Sequence, residues 1–237
     1  MAPSIPTPAA ADFVGAAIAA IAGIIRDNDL KPGDRLPAEA SLSASLQVSR
    51  TVVREALRSL AALRLIELGA GKRAAVAAID DGAMALMFEH GVVTEQIDIR
   101  QIYDVRRTIE ARTATLAALR RTEAEAQAIL HHAKAMQAHF ADPAAVMEHD
   151  LAFHLAIAKA SRNPLFALIL GAFRSIMRRT WPIGWKSRDD DAARQAMNAL
   201  HVELAEAILA GDPRGAARLM ERHFDESIKT LSAAGII

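Results

Sequence analysis

Apolar residues recur at helical spacing along most of this chain, and short turn signals separate the helical segments. The first stretch predicts three helices and a turn of Asn, Asp, Pro and Gly between the first two. Pro37 can open the second helix and Ser49 can cap the third. These three helices are expected over 10–27, 37–46 and 49–63.

Two short apolar runs follow the third helix, at 65–68 and 74–78. Between them lie two glycines and two basic residues, a composition typical of a β-hairpin with a basic tip. Three helices followed by such a hairpin form a winged helix-turn-helix. We therefore expect this fold over 10–79, preceded by a loose proline-containing arm over 1–9.

Everything after residue 80 is predicted to be helical. Thr122 with Glu125 forms a capping box, and Asp142, Asn163 and Asp212 each precede a proline, as N-caps do. The expected fold class is therefore mainly α, with an all-α bundle of six to seven helices over 80–237. The helices are expected near 82–91, 96–120, 122–140, 143–161, 164–181, 189–210 and 213–232.

Composition narrows the class of protein. Of 237 residues, 52% are hydrophobic, which is enough for a substantial core and excludes global disorder. The absence of cysteine excludes disulfides, thiol catalysis and cysteine zinc sites, and it suits a cytoplasmic protein. The apolar run over 13–25 is too short to span a bilayer and lacks a preceding positive charge, so we expect no membrane association.

Charge points to nucleic acid in the first domain. The net charge is zero, but residues 31–76 carry eight Lys and Arg against four Asp and Glu. Arg50, Thr51 and Arg54 lie at the start of the third helix, where a recognition helix contacts base edges. Arginine can bond guanine through two parallel hydrogen bonds. The alternative is an ordinary solvated helix with surface arginines.

Five polar residues lie on the predicted core faces of the second domain, each among apolar residues: Arg106, Asp150, His154, His201 and His223. Buried charges need partners. One arrangement satisfies all five, with the aspartate and the three histidines on a divalent metal and the arginine facing an anion. Zinc is the first choice, and nickel or manganese are possible. A small carboxylate effector would then bond both the metal and the guanidinium.

Simpler roles stay open for the same residues. Histidines on an apolar face are often satisfied core residues, and Arg106 can pair with Glu110 one turn along its helix. The remaining histidines of this half follow no such pattern and are expected on the surface; they are His131, His132, His139 and His149. The stretch 181–185 lines either the pocket or a dimer contact.

Residues 31–39 and 48–57 resemble the opening and the recognition helix of the GntR family of transcriptional regulators. The resemblance implies DNA contacts at Arg35, Arg50 and Arg54, and a wing tip that enters the minor groove. The DNA-binding set is thus Arg35, Ser49, Arg50, Thr51, Arg54, Gly71, Lys72 and Arg73. The chain departs from the family at Arg64 and Arg73, where glycine is usual.

Residues 150–154, with later motifs at His201 and Arg222-His223, resemble the FCD sensor domain of the FadR subfamily. Residues 103–110 resemble its first long helix. The resemblance implies a metal at Asp150, His154, His201 and His223, with a small carboxylic acid as effector. It also suggests Asn163 as an effector-binding residue, although this side chain can equally cap a helix.

The sequence therefore predicts a homodimeric regulator that binds double-stranded operator DNA, acts as a repressor and responds to a small organic acid. The first alternative is a metal-dependent enzyme acting on a small carboxylic acid, for which no well-placed general base is found. The second is a purely structural metal or polar cluster without an effector.

Overall fold

The computed structural model describes residues 10–188 and 190–235, with side chains from Phe13 onward. These residues divide into two compact units between Ala83 and Met84. The division lies a few residues after the boundary at 79 that the sequence predicts. The predicted arm over 1–9 lies outside the described residues.

The first unit has the predicted winged helix-turn-helix fold. Its strands pair antiparallel, with Ile66 opposite Val76 and Glu67 opposite Ala75. The backbone of 33–36 lies along the second strand, where the Leu36 amide donates to the Ala74 carbonyl oxygen. The elements are α1 (Ala10–Asp27), α2 (Glu39–Leu46), α3 (Arg50–Ala62), β1 (Ile66–Glu67) and β2 (Ala75–Val76).

The orientation of α3 follows from its sequence. The Ser49 side chain accepts a hydrogen bond from the Val52 amide and so caps the helix. Val53, Ala56, Leu57 and Leu60 are buried on one face. The opposite, polar face therefore lies at the surface of this unit.

The second unit is all-helical, which confirms the predicted fold class. It contains eight helices among the described residues, one more than the upper prediction, because the helix expected over 164–181 is divided. The elements are α4 (Gly82–Val93), α5 (Ile99–Arg120), α6 (Glu123–Ala138), α7 (Pro143–Ala160), α8 (Pro164–Ala172), α9 (Arg174–Lys186), α10 (Asp191–Leu209) and α11 (Pro213–Ala233).

The division falls at Phe173, two residues after Gly171, and no proline marks it. The Phe173 amide bonds the Leu170 carbonyl oxygen three residues back, which tightens the chain into a turn. The Phe173 ring is buried and stacks on Phe88, with centroids 4.9 Å apart. Tertiary packing therefore contributes to this turn. Beyond it, α9 continues through Pro182 to Lys186, past its predicted end.

Helix packing brings five helices around one interior. α5 packs against α7 and α11, and α10 packs against α6 and α11. Their inward faces form an apolar core whose largest fully buried members include Phe153, Ile157, Leu204, Ile208 and Phe224. Among the described residues, no helix is both long enough and apolar enough to cross a membrane.

The aspartate–proline starts of α7 and α11 are observed as predicted. At α11, Asp212 Oδ1 accepts from the amides of Arg214 and Gly215, which would otherwise lack partners. Replacing Asp212 by Ala should lower the free energy of unfolding by about 1 kcal/mol. Thermal and urea unfolding followed by circular dichroism would measure the change.

Glu206 is exposed in the last turn of α10, its side chain caps no helix start, and it provides the matched control. Glu206→Ala should change the free energy of unfolding by less than about 0.5 kcal/mol. Equal destabilisation by the two substitutions would contradict the capping role of Asp212.

Candidate functional site

The DNA-binding residues predicted in the first unit are all exposed. Ser49 caps α3, Arg50 and Thr51 occupy its first turn, and Arg54 lies one turn later. Arg35 lies beside β2, where its backbone forms a bridge with Ala75. The structure places these side chains where a ligand can reach them, and their DNA contacts stay a prediction.

Arg54 has a partner that the sequence reasoning missed. Its Nε lies 2.7 Å from Glu39 Oε2 on α2, and this hydrogen bond and charge raise the pKa of Arg54. Arg54 is largely exposed, so the ion pair itself is weak. Glu39 thus orients Arg54 at the surface, and the guanidinium remains accessible to a base or phosphate.

The wing shows how the chain accommodates its two departures from the family pattern. Gly71, which is retained, has φ of +66°, and Arg64 has φ of +60° in the region that favours glycine. The Arg64 side chain forms two hydrogen bonds to the Asp80 carboxylate. Lys72 and Arg73 lie exposed at the tip.

Three histidines and one aspartate meet inside the second unit. The candidate ligand nitrogens of His154, His201 and His223 all lie within 4.8 Å of one another. Asp150 Oδ1 lies 2.9 Å from His201 Nε2 and 3.8 Å from His154 Nε2. The structure therefore brings together the four residues predicted to share one site, from α7, α10 and α11.

Hydrogen bonds fix which ring nitrogen of each histidine faces the centre. His154 Nδ1 bonds the Glu110 carboxylate, and His201 Nδ1 lies 2.9 Å from the Met197 carbonyl oxygen. Because Nδ1 of each ring is engaged by an oxygen atom, Nε2 is the nitrogen that faces Asp150. His201 Nε2 is buried and has no hydrogen-bond partner among the described residues, because Asp150 lies off the required direction.

These residues fit a divalent metal ion. Imidazole nitrogens and a carboxylate are a donor set suited to zinc, nickel or manganese. A cation would satisfy the orphaned His201 Nε2 and separate the lone pairs that converge on Asp150. The carboxylate on His154 Nδ1 is the outer partner that a metal-binding histidine commonly has.

Arg106 and Glu110 form one buried unit with this cluster. Arg106 Nε lies 2.7 Å from Glu110 Oε1, and the other carboxylate oxygen bonds His154. The Arg106 guanidinium also lies over the Phe224 ring, 5.1 Å from its centroid. The ion pair considered from sequence is therefore present, and it connects Arg106 to the histidine cluster instead of removing it.

The electrostatics keep both carboxylates ionised. Burial would raise the pKa of Asp150, but the adjacent His201 and the other imidazoles outweigh burial and lower it. Burial opposes ionisation of Glu110 as well, and Arg106 and His154 outweigh it to lower the pKa. Burial and the neighbouring His201 and His154 lower the pKa of His223, which favours its neutral form.

A cavity of about 60 Å³ adjoins the cluster. Arg106 and the four clustered residues line it, together with Trp181, Trp185 and Arg188 from the region of α9. The stretch 181–185, whose role the sequence left open, thus contributes to this pocket. The volume exceeds the 10–15 Å³ or so that one water needs, so a metal and a small polar group can fit.

Asn163 is not among the residues that line this cavity. Its side-chain oxygen accepts from the Leu165 amide at the start of α8. Asn163 therefore acts as a helix cap, the second of the two roles suggested by the sequence, and it has no observed place in an effector pocket.

Four further histidines of this unit, His131, His132, His139 and His149, are exposed or half-buried, as expected, but they are also grouped. His132 Nδ1 lies 3.2 Å from His149 Nδ1, and the rings of His131 and His139 lie beside that of His149. Burial and neighbouring imidazoles lower the pKa of His132 and of His149. The seven-residue spacing of His132 and His139 was the available sequence signal.

Comparison with known protein families identifies both units. Residues 14–76 match the family described as bacterial regulatory proteins, gntR family, and residues 101–226 match the FCD domain. The chain belongs to the GntR family. It is a DNA-binding transcriptional regulator with an FCD domain, which confirms the resemblance and the choice of a regulator over an enzyme.

Individual relatives agree. HTH-type transcriptional regulator LutR of Bacillus subtilis is 32% identical over 213 residues, covering 88% of this chain and 96% of the relative. The galactonate operon transcriptional repressor of Escherichia coli is 32% identical over 160 residues, covering 63% and 69%. The solved structure of Streptococcus agalactiae GntR has a TM-score of 0.63 at 23% identity, covering 90% and 97%, and shares the fold.

Glu110 was not in the predicted site, and its position gives a test. Glu110→Gln removes the charge that holds His154 and should weaken zinc binding at this cluster about 10–100-fold. Zinc titration of chelator-treated protein, followed by calorimetry, would measure the change. Glu206→Gln, an exposed control, should leave the affinity unchanged.

Circular dichroism would verify that Glu110→Gln remains folded, because the substitution also weakens the partner of Arg106. Unchanged zinc affinity in a folded Glu110→Gln variant would contradict the orienting role of Glu110.

Proposed function

We propose that this GntR-family regulator is a cytoplasmic repressor whose operator affinity falls when a small organic acid binds in the FCD cavity. Asp150, His154, His201 and His223 would hold a divalent metal, most plausibly zinc on its donor set, and Arg106 would bind the acid's carboxylate. The observation that carries the proposal is the convergence of three imidazoles and a carboxylate on a cavity that Arg106 also lines.

The charges of the cavity favour an anionic effector. Two guanidinium groups, Arg106 and Arg188, and two carboxylates, Glu110 and Asp150, cancel when the imidazoles are neutral. A bound divalent ion leaves an excess of positive charge in a nearly closed apolar setting. A ligand with one or two carboxylates neutralises that excess, whereas a neutral or cationic ligand does not.

The size and lining of the cavity restrict the acid. Trp181 and Trp185 stack with centroids 5.1 Å apart and cover the pocket beside Arg188. The small volume favours an acid of few atoms, such as a hydroxy acid or a short sugar acid. When bound, the metal would supply a Lewis-acidic centre for a carboxylate oxygen.

The protein side chains would provide orientation and specificity. Glu110 holds Arg106 through Nε, which directs the rest of the guanidinium toward the cavity that Arg106 lines. A guanidinium group binds a carboxylate through two parallel hydrogen bonds. A planar, charged carboxylate therefore fits Arg106 better than a neutral group does.

Two recognition helices in a homodimer would read the two half-sites of a pseudo-palindromic operator. Acid binding would favour one arrangement of the sensor helices, with a coupling of about 1–3 kcal/mol, or about 5–150-fold in operator affinity. The likeness to the galactonate operon transcriptional repressor of Escherichia coli supports a repressor rather than an activator. A structural metal without an effector is the alternative to be tested.

DNA recognition is tested at Arg54. Arg54→Ala should abolish specific operator binding, because each half-site of the dimer loses about 1–3 kcal/mol of base discrimination. Fluorescence anisotropy with specific and scrambled duplexes at fixed salt would measure it. Arg26→Ala, an exposed arginine on α1, is the control and should retain specificity. Operator affinity equal to wild type in Arg54→Ala would refute this role.

Effector binding is tested at Arg106. With zinc present, at least one acid among lactate, malonate, citrate and galactonate should raise the melting temperature and release operator DNA. Arg106→Lys keeps the positive charge beside Glu110 but cannot form two parallel hydrogen bonds to a carboxylate. It should weaken the binding of the acid about 10–100-fold. An equal response of wild type and Arg106→Lys would refute the role of Arg106 in binding the acid. No response of wild type to any acid of the series would favour the structural-metal alternative.

A further inference from the structure

A second group of histidines lies outside the buried cluster and has no role in the function proposed above. His131 and His132 lie on α6, His139 ends that helix, and His149 lies on α7. Their rings form a continuous set, with centroid distances of 5.6 Å for His131–His132, 5.5 Å for His132–His149 and 5.5 Å for His139–His149. We call these four residues the outer histidine cluster.

We propose that the outer histidine cluster is a second site for a divalent transition-metal ion, which bridges α6 and α7. His132 and His149 supply the central pair of ligands through their Nδ1 atoms. His131 and His139 are exposed, and their rings lie beside that of His149, so a rotation of their side chains would bring further nitrogens to the ion. Among the described residues, only the buried cluster already has three ligand atoms within 4.8 Å of one another.

The central distance fits a shared ion. The two Nδ1 atoms lie 3.2 Å apart. Two imidazole nitrogens bound tetrahedrally to zinc at about 2.0–2.1 Å are separated by about 3.3 Å. These two nitrogens are therefore spaced as two ligands of one ion would be, and without an ion the same distance accommodates the hydrogen bond between the two rings.

The hydrogen bond of His139 prepares that ring as a ligand. His139 Nδ1 lies 2.9 Å from the Ala135 carbonyl oxygen, to which it donates. The other nitrogen, Nε2, therefore carries the lone pair, as in a metal-binding histidine whose first nitrogen is fixed by the backbone. A nitrogen-only donor set of this kind suits zinc, nickel or copper rather than magnesium or calcium.

The position of the cluster gives the second ion a physical effect. His149 directly precedes Asp150, and α6 packs against both α7 and α10, which carry ligands of the buried cluster. An ion on α6 and α7 would restrain these helices at the level of Asp150. The outer site would thus stabilise the FCD domain when free metal is abundant.

The test is the zinc stoichiometry of the full-length chain. Protein stripped with a chelator is titrated with Zn²⁺ by calorimetry, and bound metal is measured by mass spectrometry after desalting. We expect two zinc ions per wild-type chain and one in His132→Gln, a change on α6 that touches no residue of the buried cluster. His90→Gln, an exposed histidine on α4, is the control and should retain two.

A complementary variant separates this inference from the proposed function. The double variant Asp150→Asn, His223→Gln lacks two ligands of the buried cluster and should bind one zinc ion. Adding His132→Gln to this variant should remove that ion. Circular dichroism verifies folding of each variant. A stoichiometry that does not respond to His132→Gln in either background overturns the outer site, and the extra metal is then adventitious only. If wild type binds a single zinc ion that is lost in His132→Gln and retained in the buried-cluster variant, the metal site of the proposed function is refuted and the outer site is supported.

Discussion

A charged side chain inside a helical bundle is stable only when another group matches its charge, and Glu110 does this for Arg106. The same carboxylate bonds His154, so one buried residue connects the guanidinium to the imidazole cluster. Because α5 carries both Arg106 and Glu110, the register of α5 against α7 and α11 is tied to the geometry of the cluster. The same contacts therefore stabilise the FCD domain and shape its candidate metal site.

The cavity therefore combines a well-packed apolar surround with a polar centre that is not fully hydrogen-bonded. Apolar residues such as Phe153 and Phe224 hold the surrounding helices in place. The polar centre, in contrast, contains His201 Nε2, which is buried and lacks a hydrogen-bond partner in the part of the chain that the structure describes. A site with an unsatisfied polar centre gains more from a ligand than one that is already saturated. That difference is what an effector would use to favour one helix arrangement.

Much of this molecule could be predicted from sequence because the signals are local. Helix caps such as Ser49 and Asp212 mark helix starts, and helical periodicity places Asp150, His154, His201 and His223 on inward stripes. Features that depend on packing between distant segments were missed. The turn at Phe173 involves contact with Phe88, and the place of Glu110 depends on α7. The outer histidines meet only because α6 and α7 are neighbours.

The central claim is that Asp150 and the three buried histidines together bind one metal ion. An anomalous diffraction map of crystals grown from protein purified without chelators tests it most directly. The account predicts a strong peak bonded to Asp150, His154, His201 and His223, at about 2.0–2.2 Å from each ligand atom. An absence of any peak there, with His201 Nε2 hydrogen-bonded directly to Asp150, would contradict it.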